Sequence, residues 1–106
     1  MRITEILKGS RLIFSLEFFP PKTEREMVQL FETLKEVKKL NPGYISVTYG
    51  AGGTTRDKTI EVVKRARKEI GLESMAHLTC VGHSKQEIKN ILDQLENSGI
   101  DNVIAL

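Results

Sequence analysis

The sequence predicts an α/β fold built on a mostly parallel, four-stranded sheet. Three observations carry this prediction. Short runs rich in β-forming residues alternate with longer stretches whose apolar residues recur at helical spacing. One strand-plus-helix unit recurs roughly every 30 residues, the length that a parallel βαβ crossover needs. Glycine or an Asn-Pro-Gly turn closes each helical stretch. The chain has 106 residues, of which 40% are apolar, as expected of a globular chain rather than a disordered one. We therefore expect one unit, 1–106, with no linker, repeat or low-complexity stretch.

Residues 3–8 read as a short amphipathic helix, with Ile3, Ile6 and Leu7 on one side and Gly9 as its stop. A strand over about 12–19 follows, because Leu12, Ile13, Phe14, Leu16, Phe18 and Phe19 form an apolar run. Pro20 and Pro21 end it, since neither can supply the N–H that a sheet ladder needs. Thr23 and Glu26 have capping-box spacing and open a helix over 23–40. Its buried stripe is Met27, Leu30, Phe31, Leu34, Val37 and the adjoining Leu40. Asn41-Pro42-Gly43 stops that helix, and Tyr44 to Tyr49 is the second strand.

Gly50-Ala51-Gly52-Gly53 then reads as a flexible loop, and Thr54 or Thr55 caps a helix that runs to Ile70. That helix buries Ile60, Val63 and Ala66 and ends at Gly71. Ser74 to Val81 is the third strand. Ser84 and Glu87 repeat the capping-box spacing before a stripe of Ile88, Ile91, Leu92 and Leu95, which ends at Gly99. Asn102 to Leu106 begins a fourth strand.

Side-chain parity refines the architecture. Leu12, Phe14, Leu16 and Phe18 share one face of the first strand, against Ser15 and Glu17. Ile45, Val47 and Tyr49 oppose Ser46 and Thr48, and Ala76, Leu78 and Cys80 oppose His77 and Thr79. An open sheet covered on both sides is apolar on both faces. One polar face, richer toward the C-terminal strand ends, suits a barrel whose top holds a site. A complete barrel takes about 250 residues. The expectation is half of a TIM-type (β/α)8 barrel, with four parallel strands, three crossover helices and a short N-terminal helix.

Composition excludes several functions. Sixteen Lys and Arg against fourteen Asp and Glu leave a net charge of +2, too balanced for a nucleic-acid binder. No apolar run approaches a membrane span, and the N-terminus has no signal-peptide pattern. Cys80 is the single cysteine, so no internal disulfide forms, and a reducing, cytoplasmic setting is expected. Cys80 itself reads as a small buried residue. His77, Cys80 and His83 do not make a metal site, because parity separates His77 from Cys80 and His83 lies in the following turn.

Candidate chemistry gathers at the C-terminal strand ends, where parallel α/β folds place their sites. Glu17 stands out because a carboxylate among Leu16, Phe18 and Phe19 is costly unless paired or protonated. Held protonated, it could serve as a general acid; the plainer alternative is a capping or salt-bridging carboxylate. Thr48, Tyr49 and the glycine loop form a second group, and His77, Thr79 and Cys80 a third. The glycine loop could cradle a phosphate before a helix, although it matches neither common phosphate-binding fingerprint. Tyr49 is either core or a stacking platform for a planar ligand.

Three separated motifs, Ser15-Leu16-Glu17-Phe18-Phe19-Pro20-Pro21-Lys22-Thr23, Val47-Thr48-Tyr49-Gly50-Ala51-Gly52-Gly53-Thr54 and Ala76-His77-Leu78-Thr79-Cys80, resemble the opening half of the methylenetetrahydrofolate reductase family. The resemblance implies a barrel flavoprotein that holds FAD. It implies reduction of 5,10-methylenetetrahydrofolate to 5-methyltetrahydrofolate at the expense of NAD(P)H, in one-carbon metabolism and methionine biosynthesis. Glu17 matches the family's general acid. Thr48, Tyr49 and His77 match FAD-contacting positions, and Leu106 matches the start of the next flavin contact. The family's following Arg-Gly-Asp is absent, so the chain is expected to be an N-terminal fragment, inactive alone. The competing expectation is a non-catalytic half-barrel that self-associates through open strand edges, giving a homo-oligomer.

Overall fold

The computed structural model describes residues 1–9, 11–49 and 56–106. Its elements are α1 (Ile3–Ile6), β1 (Ser15–Phe18), α2 (Glu24–Lys39), β2 (Tyr44–Val47), α3 (Arg56–Arg65) with a π-helical turn (Ala66–Ile70), β3 (Ser74–Leu78), α4 (Lys85–Asn97) and β4 (Asn102–Ala105). All three strand pairs are parallel, and the sheet order β1-β2-β3-β4 is the chain order. Four parallel strands with helices between them are consistent with half of a TIM barrel. The loop expected over 50–53 and the caps expected at Thr54 or Thr55 lie outside the described residues.

Local chemistry sets the helix boundaries. Thr23 is the N-cap of α2, its side chain accepting the Glu26 N–H at 3.1 Å. The Glu26 carboxylate reaches back to the Lys22 N–H, at 2.7 Å, one residue beyond the usual capping-box partner. Ser84 caps α4 in the same way, from the Glu87 N–H at 3.1 Å. Asn41, with φ of 55°, takes the left-handed conformation that ends a helix. Gly43 follows for a steric reason: a Cβ there would collide with Cγ2 of Ile13. The third helix departs from the regular form expected up to Ile70. It loosens into the π-helical turn, after which Leu72 N–H bonds Ala66 C=O at 3.1 Å and Gly71 adopts a φ of 77°. Lys38 on α2 donates to the Gly71 carbonyl at 2.9 Å and ties down this wider end.

The three long helices bury against a single face of the sheet. Met27, Phe31, Leu34 and Val37 of α2, Ile60, Val62 and Val63 of α3, and Ile91 and Leu95 of α4 join Ile45, Val47, Ala76 and Leu78 in one core. Leu34, Ile45, Val47, Val62 and Val63 are wholly buried. Each such side chain contributes about 1.5–3 kcal/mol of transfer free energy. This one-sided core distinguishes a barrel segment from a doubly wound sheet. At the N-terminal end of the strands α1 folds across, with Ile3 buried and its N–H donating to Asn102 Oδ1 at 2.8 Å.

Several expectations at the sheet margin are corrected. The first strand is shorter than 12–19, and Leu12 (98% exposed) and Phe19 (77%) stand in solvent. β1 is an edge strand, so its apolar run has a neighbour on one side only. The first helix stops at Ile6, which leaves Leu7 exposed, and Leu40 is exposed as the C-cap of α2. β2 and β3 end at Val47 and Leu78, ahead of the predicted 49 and 81. Leu92 is only half covered, at the outer margin of its stripe. Cys80, expected to be buried, is exposed beyond the end of β3.

Candidate functional site

The register places Glu17 beside Ser46, Ser46 beside Met75, and His77 beside Ile104. Glu17 and His77 therefore share the face of the sheet opposite the helices, near the C-terminal strand ends. They sit two strands apart, and the small side chain of Ser46 lies between them on β2. The side chains meet over it, with Glu17 Oε1 3.2 Å from His77 Nε2. The contact is an ion-pair approach and not a hydrogen bond: among the described residues the buried His77 Nε2 has no hydrogen-bond partner. Alternation along β2 brings Thr48 to the same face. The Thr48 backbone is held on both sides: its N–H donates to Phe18 C=O at 2.9 Å, and its carbonyl accepts from Thr59 Oγ1 of α3 at 2.8 Å.

Glu17 is not enclosed by apolar neighbours, as its sequence setting predicted. Its side chain is 55% exposed, because Phe19 turns outward and Leu16 and Phe18 face the helices. Its close polar neighbour is the His77 ring, whose side chain is 13% exposed. The arrangement joins a solvent-accessible carboxyl to a mostly buried imidazole. Such a pair can hold, accept or relay a proton at Oε1 and Nε2.

Tyr49 lies apart from that pair. Its ring packs against the core on the helix-facing side, and its hydroxyl is 2.8 Å from His83 Nε2. His83 Nδ1 is in turn 3.0 Å from Glu87 Oε2. Burial pushes the Tyr49 phenol above its ordinary pKa, with Arg56 opposing the shift. Leu106 lies beside the end of β3, its N–H donating to Leu78 C=O at 2.9 Å and its carbonyl accepting from Cys80 N–H at 3.1 Å.

The structure thus gathers Glu17, Thr48 and His77 on one face, sets Tyr49 on the other, and leaves Leu106 engaged through its backbone. Sequence reasoning missed His83 and Glu87 as partners of Tyr49. Their i,i+4 spacing was a usable signal for the His–Glu contact, but nothing local announces the contact with Tyr49, 34 residues away. Among the described residues no three His, Cys, Asp or Glu side chains cluster as metal ligands. No helix among them is long and apolar enough to cross a membrane. A groove of about 480 Å³ runs between α3 and α4, lined by Asp57, Ile60, Glu61, Lys64, Arg65 and Gln94, and contains none of the strand-end candidates.

Known proteins match this chain closely. The family model described as methylenetetrahydrofolate reductase matches residues 2–106. The chain is 38% identical over 105 residues to methylenetetrahydrofolate reductase (NADH) 1 of Arabidopsis thaliana, covering 99% of this chain and 18% of that protein. It is 36% identical over 96 residues to 5,10-methylenetetrahydrofolate reductase of Pectobacterium carotovorum subsp. carotovorum, covering 91% of this chain and 32% of that protein. It is 37% identical over 92 residues to the Escherichia coli (strain K12) protein of the same name, covering 87% and 31%. The chain therefore spans between about a fifth and a third of the length of these relatives. A match over nearly every residue, on a parallel sheet whose polar candidates converge at one end, shows that the chain belongs to the methylenetetrahydrofolate reductase family.

Proposed function

We propose that this chain carries the proton-donating carboxyl and part of the FAD site of a reductase that converts 5,10-methylenetetrahydrofolate to 5-methyltetrahydrofolate with NAD(P)H. The observation that carries the reading is the convergence of Glu17 and His77, 3.2 Å apart, at the C-terminal ends of parallel strands. The residues fit a flavin: His77 Nε2 is a buried polar atom that touches Glu17 but makes no hydrogen bond among the described residues, and it lies on the same face as Thr48. His77 and Thr48 would hold the flavin from this face, with the backbone at Leu106 beside them, whereas Tyr49, also expected to touch it, lies on the helix-facing side. The chemistry a bound flavin supplies is hydride transfer.

Glu17 serves as general acid. The substrate's closed five-membered ring must open before its bridging carbon becomes electrophilic. A proton delivered to N10 makes that nitrogen a leaving group and exposes the N5 iminium. Glu17 is the donor, and the neighbouring His77 ring orients its carboxyl. We expect the chain alone to give no turnover, and an assay of NAD(P)H-dependent folate reduction by the purified chain checks this.

The test is flavin binding by the purified chain, followed by co-elution of protein and flavin absorbance. FAD that co-elutes with the chain, and less so with His77→Ala, supports the reading. FAD that elutes separately at every protein concentration removes the flavin site from this chain. A second reading is favoured by the two open sheet edges, β1 and β4. A second copy could pair with both and close eight strands. Sedimentation decides it: a monomer at high concentration rules out self-association.

A further inference from the structure

Glu17 and His77 meet across a strand that carries neither of them. Glu17 pairs in register with Ser46, and Ser46 with Met75, two residues before His77. Neighbouring strands lie about 4.8 Å apart and residues advance about 3.3 Å along each, so the two Cα atoms are separated by about 10–12 Å. A Glu or His side chain reaches about 4–5 Å from its Cα. Closing the distance to 3.2 Å therefore leaves little slack. Both side chains must lie low across β2, over the residue that points to the same face between them.

That residue is Ser46, which is 6% exposed. The other buried polar residues each make a side-chain hydrogen bond: Thr59 to the Thr48 carbonyl, Ser74 to the Leu72 carbonyl, and Asn102 from the Ile3 N–H. The Ser46 hydroxyl makes none among the described residues. Strand propensity does not call for it either, because a central strand favours the β-branched type of its neighbours Ile45 and Val47. The property that the geometry uses is size. Serine ends at Oγ, whereas valine or leucine extends into the space that the Glu17 and His77 side chains cross.

We propose that Ser46 is a positioning residue for the proton donor: its small side chain is the gap through which Glu17 and His77 meet, and a larger one parts them. The ring then no longer orients the Glu17 carboxyl. The catalytic meaning of this inference rests on the general-acid reading above; the steric part does not.

The test uses spectra of the purified chain with isotope-labelled histidine, in which the two imidazoles are separate reporters. His77→Ala identifies the His77 signals. Glu17→Gln should displace the His77 ring resonances and leave those of His83 in place. The same Glu17→Gln change is then made on variants of residue 46. Ser46→Ala keeps the gap and should keep the displacement. Ser46→Val should at least halve it, and Ser46→Leu should abolish it. His83, held by Tyr49 and Glu87 away from this face, is the internal check, because a general disturbance of the fold moves both rings. If Ser46→Leu disturbs His83, Ser46→Val decides, since its side chain suits a strand. If Ser46→Val disturbs His83 as well, residue 46 has a merely structural role and the proposal fails. A displacement that survives at full size in the filled variants, or that is lost in Ser46→Ala, overturns this inference and leaves the general-acid reading standing. No displacement in the otherwise unmodified chain overturns both the inference and the orienting role given to His77.

Discussion

Asn102→Asp exchanges one NH2 for one oxygen at the buried end of the sheet. The native amide makes three hydrogen bonds there. Its oxygen accepts from Ile3 N–H at 2.8 Å, and its nitrogen donates to Met1 C=O at 3.0 Å and to Glu73 Oε1 at 3.1 Å. Aspartate keeps the first and loses the other two. A hydrogen bond to a charged acceptor contributes about 1.5–3 kcal/mol and a neutral one about 0.5–1.5 kcal/mol. The new carboxylate also faces Glu73, although the Met1 amine at 2.9 Å and Arg67 Nε at 3.6 Å partly offset that repulsion. We expect a net loss of about 2–4.5 kcal/mol at neutral pH.

The sign of its pH dependence follows from the pairing. Facing Glu73, the introduced carboxyl binds its proton more tightly in the folded chain than in the unfolded one. The folded state therefore holds more protons, and the variant's stability rises as pH falls through that raised pKa. Once protonated, the carboxyl again donates to Glu73. Urea unfolding followed by circular dichroism, on wild type and variant together, measures the difference at neutral pH and at about pH 4. Asn102→Ala is the control: it loses the same two donor bonds and also strands the Ile3 N–H, a further cost of about 1–3 kcal/mol, with no introduced carboxyl to give such a pH dependence. An Asn102→Asp variant as stable as wild type at neutral pH, or a loss equal at both pH values, refutes the reasoning.

Other consequences are equally direct. Leu34→Ala opens a cavity where a fully buried side chain packs α2 on the sheet, and should cost about 2–5 kcal/mol in the same unfolding assay. Gly43→Ala drives a methyl group into Ile13 and should cost about 1–3 kcal/mol, with thermal melting as the check. Thr59→Val removes the hydroxyl that satisfies the Thr48 carbonyl and should cost about 1–3 kcal/mol, whereas Thr59→Ser should cost less. Because burial raises the Tyr49 phenol, its phenolate absorbance should rise at higher pH than that of a free tyrosine. The stability linked to it is complete below the unfolded pKa and is lost as pH rises through the folded one, a loss that Tyr49→Phe should abolish.

Much of the fold was legible because its signals are local. The Thr23 and Ser84 caps and the stripes over Met27–Leu40 and Ile88–Leu95 depend on residues three or four apart; both caps form, and Met27, Phe31, Leu34, Val37, Ile91 and Leu95 are buried, whereas Leu40 and Leu92 are exposed. The apolar run of β1 misled because a pattern of side chains does not say whether a strand has one neighbour or two. At an edge, Leu12 and Phe19 have nothing to pack against, and Glu17 gains solvent for the same reason. The π-helical turn left no trace in the spacing of Ile60, Val63 and Ala66, because it begins only where that stripe ends. The parity count did place Glu17 and His77 on one face, since alternation survives small errors in strand ends. The Tyr49–His83 contact was invisible because only the sheet brings those residues together.

The agreement between strand order and chain order also shapes how the molecule assembles. Each strand docks beside the one just before it, so most of the sheet forms from contacts about one βα unit apart. The bonds of the N-terminal segment are exceptions, among them Ile3 to Asn102 across 99 residues, Asn102 to Met1 across 101 and Met1 to Glu73 across 72. Closing so long a loop is favourable only after the intervening strands are in place. The α1 latch therefore belongs to the last stage of folding and the first stage of unfolding. Weakening it should speed opening of the molecule and leave the rate of folding nearly untouched.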